Sequence, residues 1–124
     1  MKKYNSTEAP PAPMVEVKGS NPYLQVSEKA RAKLDTGASM SVIPQDWVER
    51  LRLMPLGVID VSGFDEEWRE VRTYMVDLAF DGFRFDWVEV IASRRDNVLI
   101  GRDILNHLKI TLDGKNLTLN IEDP

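Results

Sequence analysis

The sequence predicts an all-β, single-domain protein with two brief helices. Three observations support that fold class. Apolar residues recur with a period of two over most of the chain, β-branched and aromatic residues concentrate in those runs, and two Asp-Gly pairs stand where hairpins turn. A length of 124 residues is one domain's worth of chain. A hydrophobic fraction of 43% furnishes one core without metal or disulfide staples.

Residues 1–13 include Ser6, Thr7, Pro10, Pro11 and Pro13, lack hydrophobic periodicity, and predict a flexible, extended Pro-rich arm. The folded domain is expected over 14–124. Its first strand runs from Met14 and Val15 through Val17. The Gly19-Ser20-Asn21-Pro22 cluster turns the chain into a second strand over 23–26, and Ala30, Ala32 and Leu34 then share one face of a third. A short helix is predicted over 45–53, because Pro44 suits a helix start, Trp47, Val48 and Leu51 form a stripe, and Pro55 with Gly57 end it. Strands resume over 58–61, 71–80 and 83–92, the last two joined by Asp81-Gly82. A short strand over 97–100 and a helical turn or two over 102–108 follow. A final hairpin joins 109–112 to 116–121 through Asp113-Gly114. Two segments echo each other faintly: 32–37 and 97–102 are both strands that end in glycine, each with a short helix after it.

Composition excludes several chemistries. A net charge of −4 without a basic stripe speaks against a protein that grips nucleic acid. Disulfides, thiolate chemistry and Cys-based zinc sites are ruled out by the absence of cysteine, and His107 alone makes no multi-histidine site. A carboxylate-only metal site stays open. The apolar runs are short and the polar, proline-bearing N-terminus lacks an apolar leader. The reading is therefore a soluble, unsecreted, cytoplasmic protein with no membrane partner. The sequons at Asn5 and Asn116 carry no meaning without a secretory route.

No Gly-rich phosphate loop, G-x-S-x-G elbow or H-E-x-x-H occurs. Aspartyl-phosphate formation is rejected because Asp35 has no following lysine of the phosphorylating-pump kind and no carboxylate cluster to help it. His107, at a helix end, reads as structural. Trp47, Trp68 and Trp87 are scattered over helix, hairpin and strand and form no stacking platform.

The motif that carries chemistry is Asp35-Thr36-Gly37-Ala38-Ser39, between the strand ending at Leu34 and the run Ser41-Val42-Ile43. An Asp-Thr-Gly turn alone is commonly structural, its carboxylate capping backbone amides. Together with Leu34 and the later Val98-Leu99-Ile100-Gly101-Arg102-Asp103-Ile104-Leu105, however, it resembles the retroviral-type, retropepsin-like aspartic proteases over 14–121. The resemblance implies a single-lobed acid-protease barrel. It also implies that Asp35 is catalytic, that Thr36 braces paired loops and that Gly37 lets substrate backbone approach. A flap is expected over 58–76 with Ser62-Gly63-Phe64 near its turn. Ala38, Ser39, Met40, Val61, Gly63, Phe64 and Ile91 are the substrate-binding candidates; Val42 and Ile100 read better as core. The sequence departs from the family in two places. The flap is poor in glycine, and Ser39 stands where many retroviral members have an acidic partner for Arg102, a role for which Asp103 or Glu49 is the substitute considered.

Amide hydrolysis by two carboxylates needs one ionised to activate water and one protonated to polarise the carbonyl. One Asp-Thr-Gly is half of that pair, so the resemblance implies a homodimer with the two-fold axis between two Asp35 side chains. No metal or organic cofactor is needed. Two close carboxylates titrate as a coupled pair, so activity should favour acid. The substrate would be an extended peptide or protein segment. Asp65-Glu66-Glu67 at the flap tip reads as a solvated hairpin end, and Ser93-Arg94-Arg95-Asp96 as a solvent-facing turn, with a cleft-side loop favouring acidic substrate residues as its alternative. Alternating Leu117, Leu119 and Ile121 would present an apolar edge for association. The competing functional class is a non-catalytic dimeric β-module that binds peptides or scaffolds an assembly.

Overall fold

The computed structural model describes residues 1–62 and 68–124. In chain order the elements are β1 (Lys2–Lys3), β2 (Met14–Ser20), β3 (Ser27–Leu34), β4 (Val42–Pro44), α1 (Gln45–Arg50), β5 (Pro55–Ser62), β6 (Trp68–Phe80), β7 (Phe83–Ser93), β8 (Val98–Ile100), α2 (Arg102–Leu105), β9 (Lys109–Asp113) and β10 (Thr118–Glu122). Six strands close into a barrel. β2 pairs antiparallel with β3, β3 runs parallel to β8, β8 meets β4, β4 runs parallel to β7, and β7 turns back on β6, which returns to β2. β5 pairs with β6 beyond the ring, and β1-β10-β9 form a separate three-stranded sheet.

The all-β expectation is met, and local chemistry explains most strand ends. Asp81 (φ 52°) and Gly82 (φ 83°) both take the left-handed conformation of a tight hairpin between β6 and β7. Inside the barrel, Val17, Ala32, Ile43, Val76, Leu78, Val90, Val98 and Ile100 are wholly buried. Trp47 of α1 packs so closely on Gly19 of β2 that a Cβ there would run into its ring.

Four expectations are corrected. The chain over 23–26 is a bend, because the Asn21 carboxamide accepts from the Tyr23 and Leu24 amides (2.8 and 3.1 Å) and donates to the Leu51 carbonyl (2.8 Å). Both helices are shorter than predicted. α1 stops where Arg52 turns left-handed (φ 55°), and α2 ends in turn-type bonds from His107 and Leu108 to the carbonyls three residues back. The last hairpin does not turn on Asp113-Gly114. Its connection spans 114–117, the left-handed residue is Leu117 (φ 53°), and the Asp113 carboxylate accepts from the Asn116 amide (3.0 Å) and carboxamide (2.7 Å). Finally, Leu119 and Ile121 are buried within the chain itself, since β10 is the middle strand of its sheet; only Leu117 of that trio is exposed.

The N-terminal residues contact the domain at several points. β1 pairs with β10, the Tyr4 amide donates to the Leu117 carbonyl (2.8 Å), Asn5 bridges Ala12, and Lys2 lies 3.1 Å from Asp81. Among the described residues no helix is long and apolar enough to cross a membrane.

Candidate active site

Two strand ends build the site. β3 and β8 lie side by side in parallel, with Ala32 opposite Val98 and Leu34 opposite Ile100, so the segments that echo each other in sequence are neighbours in space. The Asp35 amide donates to the Ile100 carbonyl at 2.9 Å, which starts the loop directly beside β8. One oxygen of the half-buried Asp35 carboxylate accepts from the Gly37 amide at 2.9 Å, and the Ala38 amide donates to the Asp35 carbonyl at 3.2 Å. The carboxylate is thus aimed by its own loop. A Cβ on Gly37 would stand 3.1 Å from that same oxygen, so glycine keeps the carboxylate uncrowded.

A second layer locks the loop from behind. Gly101 packs where a Cβ would sit 2.9 Å from both the Ala38 carbonyl oxygen and the Met40 carbonyl carbon. The buried Ser41 hydroxyl accepts from the Gly101 amide (3.0 Å) and donates to Asp103 (2.8 Å), whose other oxygen accepts from the Ser41 amide (2.9 Å). The Arg102 amide donates to the Ala38 carbonyl (2.8 Å) and its guanidinium to the Thr36 carbonyl (2.7 Å). Asp103 is therefore committed to Ser41. Neither it nor Glu49 partners Arg102, a correction with a simple cause: a backbone carbonyl of the Asp-Thr-Gly loop lies nearer. The exposed Thr36 hydroxyl has no hydrogen bond among the described residues.

A groove of 520 Å³ opens between this loop and the β5–β6 hairpin. Of the expected substrate contacts, Ala38, Ser39, Met40, Val61 and Ile91 line it together with Gly37. Gly63, Phe64 and the Asp65-Glu66-Glu67 run lie outside the described residues. Val42, expected as core, is both buried and part of the lining. Sequence reading missed Ile59, Ser62 and Trp68. On β5 the partly buried Ile59 and Val61 share one face by the period of two, and that alternation was the available signal. Asp60 also lines the groove and pairs directly with Glu70 on β6.

In the turn between β7 and β8, Arg94 and Asp96 face solvent while Arg95 is half-buried. Burial lowers its guanidinium pKa from the usual arginine value, and attraction to the Asp35 carboxylate opposes that shift. Among the described residues no group of three or more His, Cys, Asp or Glu is placed to hold a metal ion.

With this geometry in hand, comparison with known proteins gives a consistent result. The family model described as aspartyl protease matches residues 14–104, a span containing both strand ends and the hairpin. Among solved structures, the chain resembles the simian foamy virus (mac) protease with a TM-score of 0.59 at 18% identity, covering 75% of this chain and 91% of that one. It resembles the EIAV protease, solved with the inhibitor HBY-793, with a TM-score of 0.60 at 21% identity, covering 77% and 86% respectively. The retroviral protease-like domain of Ddi1 from Leishmania major aligns over 90% of both chains at 18% identity and a TM-score of 0.52. No curated protein matches the sequence. The chain belongs to the aspartyl protease family, with the single-lobed, retropepsin-like fold.

Proposed function

We propose that the protein is an aspartic endopeptidase that works as a symmetric homodimer, hydrolysing extended peptides with a water held between two Asp35 carboxylates. The observation that carries this reading is the Asp35 loop itself. Its carboxylate is oriented by the Gly37 amide and stands at the end of paired parallel strands, and the residues that follow it, Gly37 to Met40, line an open groove. A carboxylate serving only as a turn cap needs neither the groove nor the second layer built from Gly101, Ser41 and Asp103. One chain supplies one such carboxylate, so the second is expected from an identical partner.

In the proposed reaction one Asp35 takes a proton from water as the oxygen attacks the peptide carbonyl. The other, protonated, donates a hydrogen bond to that carbonyl oxygen and then passes a proton to the departing nitrogen. Cleft side chains from Met40, Val61 and Ile91 would receive alternate side chains of the peptide while strand edges pair with its backbone. Dimerisation has structural room, because among the described residues the β1-β10-β9 sheet ends in unpaired edges on β1 and β9.

The test is peptide hydrolysis by the purified protein and by Asp35→Asn, across acid to neutral pH, with and without a hydroxyl-bearing transition-state mimic. Cleavage should be blocked by the mimic and fall by at least about 10²- to 10⁴-fold in the variant. The substituted side chain keeps the oxygen that accepts from Gly37, so fold and association should persist. Undiminished turnover in Asp35→Asn would refute the assignment, and binding without hydrolysis would favour a peptide-binding module.

A further inference from the structure

Beside Asp35 the barrel carries a cationic face, and a carboxylate of the chain already rests on it. Along β3 the side chains of Ala32 and Leu34 are buried, and Lys33 between them projects to the opposite face. β8 repeats this, with Val98 and Ile100 buried and Leu99, in register with Lys33, on the Lys33 side. Asp35 continues the alternation one step beyond β3. Ahead of β8, Arg95 and Asn97 are half-buried within a bend whose Arg94 and Asp96 are exposed.

Arg95 is held in place. Its Nε donates to the Asn97 carbonyl (3.0 Å) and side-chain oxygen (2.7 Å), leaving the two terminal nitrogens without a partner among the described residues. Attraction to the Asp35 carboxylate favours the charged form of this guanidinium, against the lowering of its pKa by burial. The neighbouring carboxylates Asp46 and Asp96 are exposed and line the same 490 Å³ pocket as Arg95. Farther from Asp35 on β3, Lys29 lies 3.9 Å from Glu16, and Arg31 is in register with Glu16. Arg102 is engaged by the Thr36 carbonyl, which leaves Lys33, two residues before Asp35, and Arg95 as the cations available to a substrate there.

Lys33 has a partner from the N-terminal segment: its Nζ lies 3.7 Å from the Glu8 carboxylate, with both side chains about one-third exposed (33% and 35%). The segment is brought there by the Leu34 amide, which donates to the Pro13 carbonyl (3.2 Å), and by the bridge between Asn5 and Ala12. A partly exposed ion pair of this kind is weak and readily exchanged. A substrate carboxylate reaching Lys33 and the free nitrogens of Arg95 would gain charge-assisted hydrogen bonds, with Leu99 flanking its methylenes.

We propose that Lys33, Leu99 and Arg95 form a subsite for an acidic side chain of the peptide beside the bond to be cut, and that Glu8 occupies it within the chain until substrate displaces it. This rests on the endopeptidase reading of Asp35, so the test separates the two. Short extended peptides differing only by Glu or Gln near the central bond are titrated into Asp35→Asn by calorimetry, and the same pairs are offered to the unsubstituted protein for cleavage. The Glu peptide should bind about tenfold or more tightly, as hydrogen bonds to charged groups allow. In the Asp35→Asn background, Lys33→Gln or Arg95→Gln should each weaken that preference several-fold and both together erase it. Lys33→Arg should retain it, and Glu8→Gln should tighten the Glu peptide alone.

Equal binding of the Glu and Gln peptides, including failure of either to bind, overturns the subsite, as does a preference that survives the double substitution. Cleavage that depends on Asp35 but ignores Glu leaves the peptidase reading standing without the subsite. Selective binding of the Glu peptide without any cleavage leaves the subsite standing and removes the peptidase reading.

Discussion

Ser41 is a small residue on which the geometry of the candidate site depends. It is wholly buried, and its hydroxyl joins the Gly101 amide to the Asp103 carboxylate behind the Asp35 loop. Ser41→Ala leaves a buried amide without its acceptor and a carboxylate without one donor. The expected loss is about 1–3 kcal/mol in unfolding free energy, read from urea denaturation. Asp103→Ala should cost a similar amount, and the double variant less than the sum, because both act on one network. Additive losses would show that the two groups do not work together. None of this is visible in sequence: Ser41 and Asp103 are 62 positions apart, and Asp103 reads there as a candidate partner for Arg102.

At the scale of elements, the approach of the α2 start to the Asp35 loop sets a steric limit. A methyl group at Gly101 meets backbone atoms of Ala38 and Met40 that cannot rotate aside. Gly101→Ala should therefore shift the loop and lower both stability, by about 1–3 kcal/mol, and peptide hydrolysis. Retained activity would mean the loop tolerates the shift. The β9–β10 connection makes a different prediction. Hydrogen bonds from the Asn116 side chain, then its amide, hold the Asp113 carboxyl below its ordinary pKa. A depressed folded-state value stabilises above the unfolded pKa, and that contribution is lost as pH falls through the folded one. Asn116→Ala, which removes the side-chain donor and keeps the backbone amide, should move the Asp113 titration upward, measured by NMR, and reduce that acid-side dependence. An unmoved titration would mean these hydrogen bonds are not what holds it down.

For the whole molecule, the decisive proposed property is association. If two copies share one site, specific activity should fall on dilution through the dimer dissociation range and return on concentration, with sedimentation reporting the same transition. Activity per chain that is constant while the protein is monomeric would contradict the two-carboxylate scheme. The all-β class, the Asp81-Gly82 hairpin and the Asp35-Thr36-Gly37 loop were all legible in the chain, because each depends on neighbours in sequence: alternation in a strand, a left-handed turn, a strand end. The bend over 23–26 and the Gly114–Leu117 connection were not, because side chains of Asn21 and Asn116 redirect the backbone there. Nor could sequence pair Lys33 with Glu8, seat Arg102 on the Thr36 carbonyl, or bury Leu119 and Ile121 within one chain. Local periodicity and turn chemistry thus determined most of the elements that form, and the resemblance carried by the Asp35 loop and the 98–105 segment marked that loop as the candidate site. Only closure of the barrel, which joins strands distant in sequence, decided what surrounds that loop and which charges face it.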